Sequence, residues 1–427
     1  MLWRRRDPPT PDCANSVSPA PDPASPSAPA TLRRVLGLWI LVFYGLGSIV
    51  GAGIYVLIGA VAGVAGYGAP LAFVGAGILA GLTGLSYAEL SARYPEAAGA
   101  AAYVQEGFGR AGLSRLVGFA VVAVGLFLTG SLAHGVVGYI NEFVAVPPLP
   151  AALAIVVLFT VVAGVAVRHT LMLAAAMTVV EIGGLVIVAA VGAPALARLP
   201  EVAPLMVPGD ITAVLAVSSG IFLAFFAFLG FEDIVNMAEE TRAPERTLPR
   251  AVLLSIVLAT VIYAVIAVVA VVAVPLADLA ASRAPLELIM GRAEWVPRGL
   301  LSVIAIIAIP NGILVTLVML GRILYGMARR GWLPTALGVV NPWTRTPLRT
   351  TVIAGGLAVA FTAAVDFIGL VTLTSAVNLC VFTIVNLALW RLHRTQPRPD
   401  LPIRAWVWCP PLAAGFSAAL IALQLVG

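Results

Sequence analysis

Runs of about twenty or more apolar residues recur along this chain, separated by short connections that hold most of its charged residues. Each run is long enough to cross ~30 Å of hydrocarbon as a helix rising ~1.5 Å per residue. The pattern predicts eleven spans, at about 36–64, 70–92, 114–143, 149–167, 171–197, 212–238, 249–274, 298–328, 350–365, 367–391 and 405–426. The ninth and tenth form one apolar run, divided here at Asp366. A β-barrel would show short alternating strands instead, so the expected class is an all-α polytopic membrane protein.

Two of these spans carry internal interruptions. Span 1 contains Gly45, Gly47, Gly51 and Gly53, each less favourable than Ala in a helix interior by roughly 1 kcal/mol. One reading is a helix broken around Ser48–Gly53; the other is glycine used for close helix packing. Span 6 reads Phe225-Phe-Ala-Phe-Leu-Gly-Phe-Glu232, with Asp233 following, so a glycine and two acids sit inside a span. Spans 1 and 6 lie five apart, and an odd number of spans per repeat inverts the second copy in the membrane. Interrupted helices at matching positions of two halves point to a carrier whose substrate binds at mid-depth.

Composition supports the membrane class: 61% of the 427 residues are hydrophobic and 11% charged. All 25 basic residues are arginine, which reads as codon bias, and the net charge of +5 reflects topology, not nucleic-acid binding. With the N-terminus inside, only Arg198, Arg283, Arg292 and Arg298 fall outside, leaving 21 of the 25 on the cytoplasmic side, as the positive-inside rule requires. Residues 1–33, rich in Pro, Ser and Ala, are expected to be a disordered cytoplasmic tail. No apolar stretch follows Arg4–Arg6 there, so a signal peptide is not expected. Residues 34–426 form the expected transporter domain.

Cys13, Cys380 and Cys409 are far apart, and His134, His169 and His393 fall on different segments. No metal site or other cofactor is expected, and a membrane-embedded enzyme is disfavoured. A phosphate-binding loop is excluded, because the chain has no lysine. No repeated filter or charge ring suggests a channel.

Four segments together resemble the amino acid–polyamine–organocation (APC) transporter superfamily. They are Gly-Ser-Ile-Val-Gly-Ala-Gly-Ile-Tyr (47–55), Phe225–Glu232 with the following Ala-Glu-Glu-Thr-Arg-Ala-Pro-Glu-Arg-Thr-Leu-Pro-Arg-Ala (238–251), Arg322–Pro334, and Tyr87–Glu96. The resemblance covers residues 34 to about 400. It implies a leucine-transporter-type fold of two inverted five-helix repeats, at about 36–197 and 212–391, with helices 1 and 6 broken and an extra helix at about 405–426. Many members have twelve spans, and this chain is read with eleven.

By the same resemblance, the amides of Gly51, Ala52 and Gly53 would hold a substrate carboxylate. Carbonyls of Ile49, Val50, Phe226, Ala227 and Leu229 would hold its ammonium, and Phe228 would close over it. Glu181 lies about ten residues into span 5, near the midplane, where a carboxyl is functional by default. In proton-coupled relatives a titratable residue on this helix, often Lys, approaches helix 1; here it is Glu. The alternative is a protonated Glu hydrogen-bonded to a neighbouring helix. His134 is read as structural, and Asn378 and Thr374 as interhelical links. Glu239 and Glu240 could form an inner gate with Arg93 or Arg322, or simply a solvated loop ahead of a helix start at Thr247-Leu-Pro.

The expected activity is secondary active amino acid transport by alternating access, multi-pass in the cell membrane, coupled to protons or, failing that, sodium. The pocket walls around helices 3, 6 and 8 read as mostly small or apolar, favouring a neutral substrate, and proton-coupled uptake by symport is the leading reading. An amino acid or amine exchanger is the alternative. Expected partners are the small-molecule substrate and the bilayer, with no nucleic acid; the oligomeric state is not read from the sequence.

Overall fold

Each predicted span coincides with helix, as a chain in hydrocarbon must fold to satisfy its own N–H and C=O groups. The computed structural model describes residues 36–95, 99–165, 170–293, 296–297, 299–341, 346–397 and 400–426. The expected tail, residues 1–33, lies outside the described residues. The helices are α1 (Leu38–Ala65), α2 (Ala69–Arg93), α3 (Gly99–Phe108), α4 (Ala111–Ile140), α5 (Pro148–Val165), α6 (Thr170–Gly192), α7 (Leu199–Met206) and α8 (Ile211–Phe225). They continue with α9 (Pro244–Ala273), α10 (Leu276–Ala281), α11 (Glu287–Met290), α12 (Leu300–Arg329), α13 (Leu348–Ala364), α14 (Phe367–Thr395) and α15 (Cys409–Val426).

By length and composition, seven stretches of the described residues can cross a membrane, and four shorter apolar helices accompany them. Ile78, Val157, Val161, Val257 and Val261 stand exposed on the outer faces of their helices, an arrangement suited to lipid rather than water.

Span 6 is interrupted as expected. α8 ends at Phe225, one 3-10 turn covers Phe226–Phe228, Leu229 is extended, and Gly230 takes φ 115° before a second 3-10 helix, Phe231–Glu240. Only glycine adopts that backbone freely. Span 1 differs from expectation: α1 runs from Leu38 to Ala65 as one helix through all four glycines. Gly45, Gly47 and Gly53 serve close packing. A Cβ on Gly45 would collide with Ile234, one on Gly47 with the Thr178 hydroxyl, and one on Gly53 with the Ala227 backbone.

Capping residues set two further boundaries. Asp210 accepts from the Ala213 N–H at 2.7 Å to start α8, and Asp366 accepts from Gly369 N–H at 3.3 Å to start α14. The expected helix start at Thr247 is corrected: α9 begins at Pro244, and the Thr247 hydroxyl donates to the Arg242 carbonyl.

α1 packs on α8, α9, α6 and α12; α2 on α9; α4 on α12 and α14; and α5 on α13. The entry to α1 is strapped to the exit of span 6, because Leu36 pairs with Thr241 and the Arg242 N–H donates to the Leu36 carbonyl at 3.0 Å.

Candidate functional site

The interrupted span 6 crosses α1 at its glycines, and the two meet backbone to backbone. A Cβ on Gly230 would sit 2.7 Å from the Ser48 carbonyl oxygen. The Tyr263 hydroxyl, reaching in from α9, lies 2.7 Å from the Ile49 carbonyl and 2.8 Å from that of Ala227. One hydroxyl proton is thus shared between carbonyls of both crossing segments.

Beside this crossing is a narrow cavity of about 30 Å³, room for one or two waters in this conformation. α1 contributes Tyr44, Gly47, Ser48, Ile49 and Gly53; span 6 contributes Phe226, Leu229, Gly230 and Asp233. α4, α6 and α12 close it with Leu128, Leu132, Thr178, Asn311, Gly312, Val315 and Thr316.

Of the expected substrate contacts, Ile49, Gly53, Phe226 and Leu229 line the cavity. Val50, Ala227 and Phe228 are buried but not on its wall. Phe228 meets the Tyr263 ring edge-on, with centroids 5.1 Å apart. Gly51 and Ala52 lie within α1, and their surroundings fall outside the described residues.

Glu181 is fully buried, and neither carboxyl oxygen has a hydrogen-bond partner among the described residues. The expected alternative of a hydrogen bond to a neighbouring helix is therefore not what is observed. The residue is nevertheless tied to α1, because its carbonyl accepts the Tyr55 hydroxyl at 2.7 Å. Tyr139 of α4 in turn donates to the Tyr55 carbonyl. Thr178, one turn earlier on α6, is on the cavity wall, so Glu181 lies ~4.5 Å further along the helix axis.

Of the two arginines expected at the inner gate, Arg93 is engaged elsewhere. Arg93 is buried and donates to Glu89 through Nε at 2.9 Å, while its Nη1 donates to the Gln396 carbonyl at 2.8 Å. Glu89 also meets His393 Nε2 at 2.9 Å and accepts from the Ala405 N–H at 2.8 Å. This cluster joins α2 to α14 and to the segment before α15. Arg322 is exposed, and the side chains of Glu239 and Glu240 fall outside the described residues. His134 Nε2 lies 3.1 Å from the Thr362 carbonyl, an interhelical link. Asn378 donates to Glu232 at 3.1 Å, whereas Thr374 bonds within its own helix to Leu370.

Sequence reasoning did not find Ser48, Asp233 or Tyr263. Asp233 carried a signal, as an acid inside a span, but its facing depends on the turn at Gly230. Tyr263 sits in an unbroken apolar helix and carried none.

Comparison with known proteins places these features in context. Residues 36–427 match the family model described as amino acid permease. The branched-chain amino acid permease BcaP of Bacillus subtilis is 27% identical over 94% of this chain and 90% of its own. An uncharacterized transporter of Mycobacterium tuberculosis is 30% identical over 92% and 89%. Cationic amino acid transporter 4, vacuolar, of Arabidopsis thaliana is 27% identical over 86% and 65%. Among solved structures, MhsT in complex with L-phenylalanine superposes with a TM-score of 0.63 at 14% identity, covering 92% of this chain and 99% of that one.

Proposed function

The chain belongs to the amino acid permease family, and from that premise we propose that it is a secondary active transporter carrying amino acids by alternating access. The observation that carries this reading is the crossing of an interrupted span 6 with the glycine face of α1 beside a cavity at membrane depth. A broken helix is tolerated in a bilayer only where it is buried or lines a cavity, and carriers bind substrate at such breaks.

Two inverted five-helix repeats account for the packing. α1 lies on α8, α2 on α9, α4 on α12 and α5 on α13, so four of the five helices of one half touch their counterparts in the other. With α15 this gives eleven crossings, a cytoplasmic N-terminus and residence in the cell membrane, in accord with the arginine distribution.

Coupling to protons is proposed through Glu181. A buried carboxyl without a hydrogen-bond partner, anchored by its own carbonyl to α1, is suited to exchange a proton as α1 moves. Glu239 and Glu240 with Arg322 remain the proposed inner gate. The relatives' printed substrates include branched-chain and cationic amino acids, so the family leaves the substrate's charge open.

Uptake of a panel of radiolabelled amino acids into proteoliposomes tests the proposal. Expected is uptake of a small subset driven by an inward proton gradient, lost in Glu181→Gln with binding retained. Uptake only into preloaded vesicles would make the protein an exchanger. No uptake by folded protein under either condition would sink the reading.

A further inference from the structure

We propose that the cavity recognises a substrate of net positive charge, such as a dibasic amino acid or a diamine, whose cationic group docks on the Asp233 carboxylate. This inference rests on the transport reading above and deepens it.

Two adjacent acids follow Gly230, and the structure gives them opposite settings. Glu232 is satisfied: one carboxyl oxygen accepts from the Gly230 N–H at 3.0 Å, the other from Asn378 Nδ2 at 3.1 Å. Glu232 is not on the cavity wall. Asp233 is on the wall, only 7% exposed, and its carboxylate has no hydrogen-bond or ion-pair partner among the described residues. Its backbone is fixed, because its N–H donates to the Gly230 carbonyl at 3.1 Å across the left-handed turn. The turn therefore holds Asp233 towards the cavity and gives Glu232 its partners.

The rest of the wall completes the case. None of the lining residues is basic, so the side chains facing the cavity carry one carboxylate and no countercharge. Burying a charge without a partner is strongly unfavourable, and an occupant that brings a positive charge relieves this. A neutral zwitterion brings no net charge to offset this acid. A monocation neutralises the site.

Ser48 supplies a second observation. Its hydroxyl is buried on the cavity wall with no partner among the described residues, next to Gly230. Asn311 adds a buried amide on the wall contributed by α12. A carboxylate, a hydroxyl and an amide oxygen together suit an ammonium or guanidinium group with several N–H donors. The expectation of a neutral substrate rested on the small and apolar residues of this wall and left Asp233 out.

The test is uptake of radiolabelled L-lysine and L-leucine by the full chain in proteoliposomes, each competed with unlabelled L-lysine, L-leucine and putrescine. The proposal expects lysine or putrescine to compete far better than leucine. It also expects Asp233→Asn to weaken lysine competition by about thirtyfold or more, as when one partner of a buried charge pair is removed. Asp233→Glu should retain part of it. Leucine carried while lysine and putrescine fail to compete would overturn the proposal and leave the transport reading intact. So would lysine uptake unchanged in Asp233→Asn, or sodium-dependent leucine uptake whose sodium requirement is lost in that variant. No uptake of any amino acid or amine by folded protein would remove both. If Asp233→Asn does not fold, the wild-type competition order still decides.

Discussion

Tyr263 donates its hydroxyl to the Ile49 carbonyl at 2.7 Å, joining α9 to α1 beside the cavity. The same hydroxyl reaches Ala227 at 2.8 Å, so one side chain pins both crossing segments. The two carbonyls are among those the family resemblance assigns to a substrate ammonium. A carbonyl has two lone pairs; in unbroken α1 the second on Ile49 faces its own helix, so of the two only Ala227 keeps room for a further donor.

Tyr263→Phe tests this pin. The ring stays packed against Phe73 and Phe228, while two carbonyls lose a donor. The expected outcome is a loss of about 1–3 kcal/mol, read as a lower melting temperature in detergent, together with slower uptake. A melting temperature and uptake rate equal to wild type would refute the pin.

Gly230→Ala should be far more damaging than an ordinary glycine substitution. The φ of 115° is unfavourable for any side chain, and the new Cβ would meet the Ser48 carbonyl at 2.7 Å. Transport should be lost and the melting temperature lowered. Gly415→Ala on α15, where nothing lies within 4 Å, should be neutral or stabilising by up to about 1 kcal/mol. Equal effects of the two substitutions would contradict this account.

Glu181→Gln separates a coupling acid from a structural one. The carboxyl has no hydrogen bond to lose, so the variant should melt no lower than wild type while losing its response to a proton gradient. A clear drop in melting temperature would show that Glu181 instead holds helices together.

The Glu89 cluster makes the opposite prediction. Glu89→Gln leaves Arg93 buried without its countercharge, which should lower stability by about 3–5 kcal/mol. Replacing Arg93 by Met in the same protein should restore part of the loss. Thermal melting of both variants in detergent is the check, and an unaffected single variant would rule the cluster out as a structural tie.

Some of this was legible in the sequence and some was not, for identifiable reasons. Gly230, followed by Glu232 and Asp233 inside an apolar run, announced the interruption of span 6, since a glycine and two acids together do not suit an unbroken crossing. Asp366 divided a continuous apolar run correctly because a carboxylate can cap the helix that follows. The glycines of α1 were ambiguous: close packing and an interrupted helix call for the same residue, and only the neighbours Ile234, Thr178 and Ala227 show which applies. Arg93 was read as a gate because its partners lie elsewhere in the chain. Only the Glu89 spacing on α2 hinted at its true setting, and His393 is 304 residues from Glu89.

The solitary carboxyl of Glu181 also bears on how this protein is prepared for study. Membrane proteins are commonly selected for heat resistance before crystallisation, one substitution at a time. A buried acid with nothing to hold is a position where apolar replacements would rank highly in such a screen. Selection on heat resistance alone would therefore favour well-behaved protein that has lost the acid proposed to couple transport to protons, and an activity readout belongs in the screen from its first round.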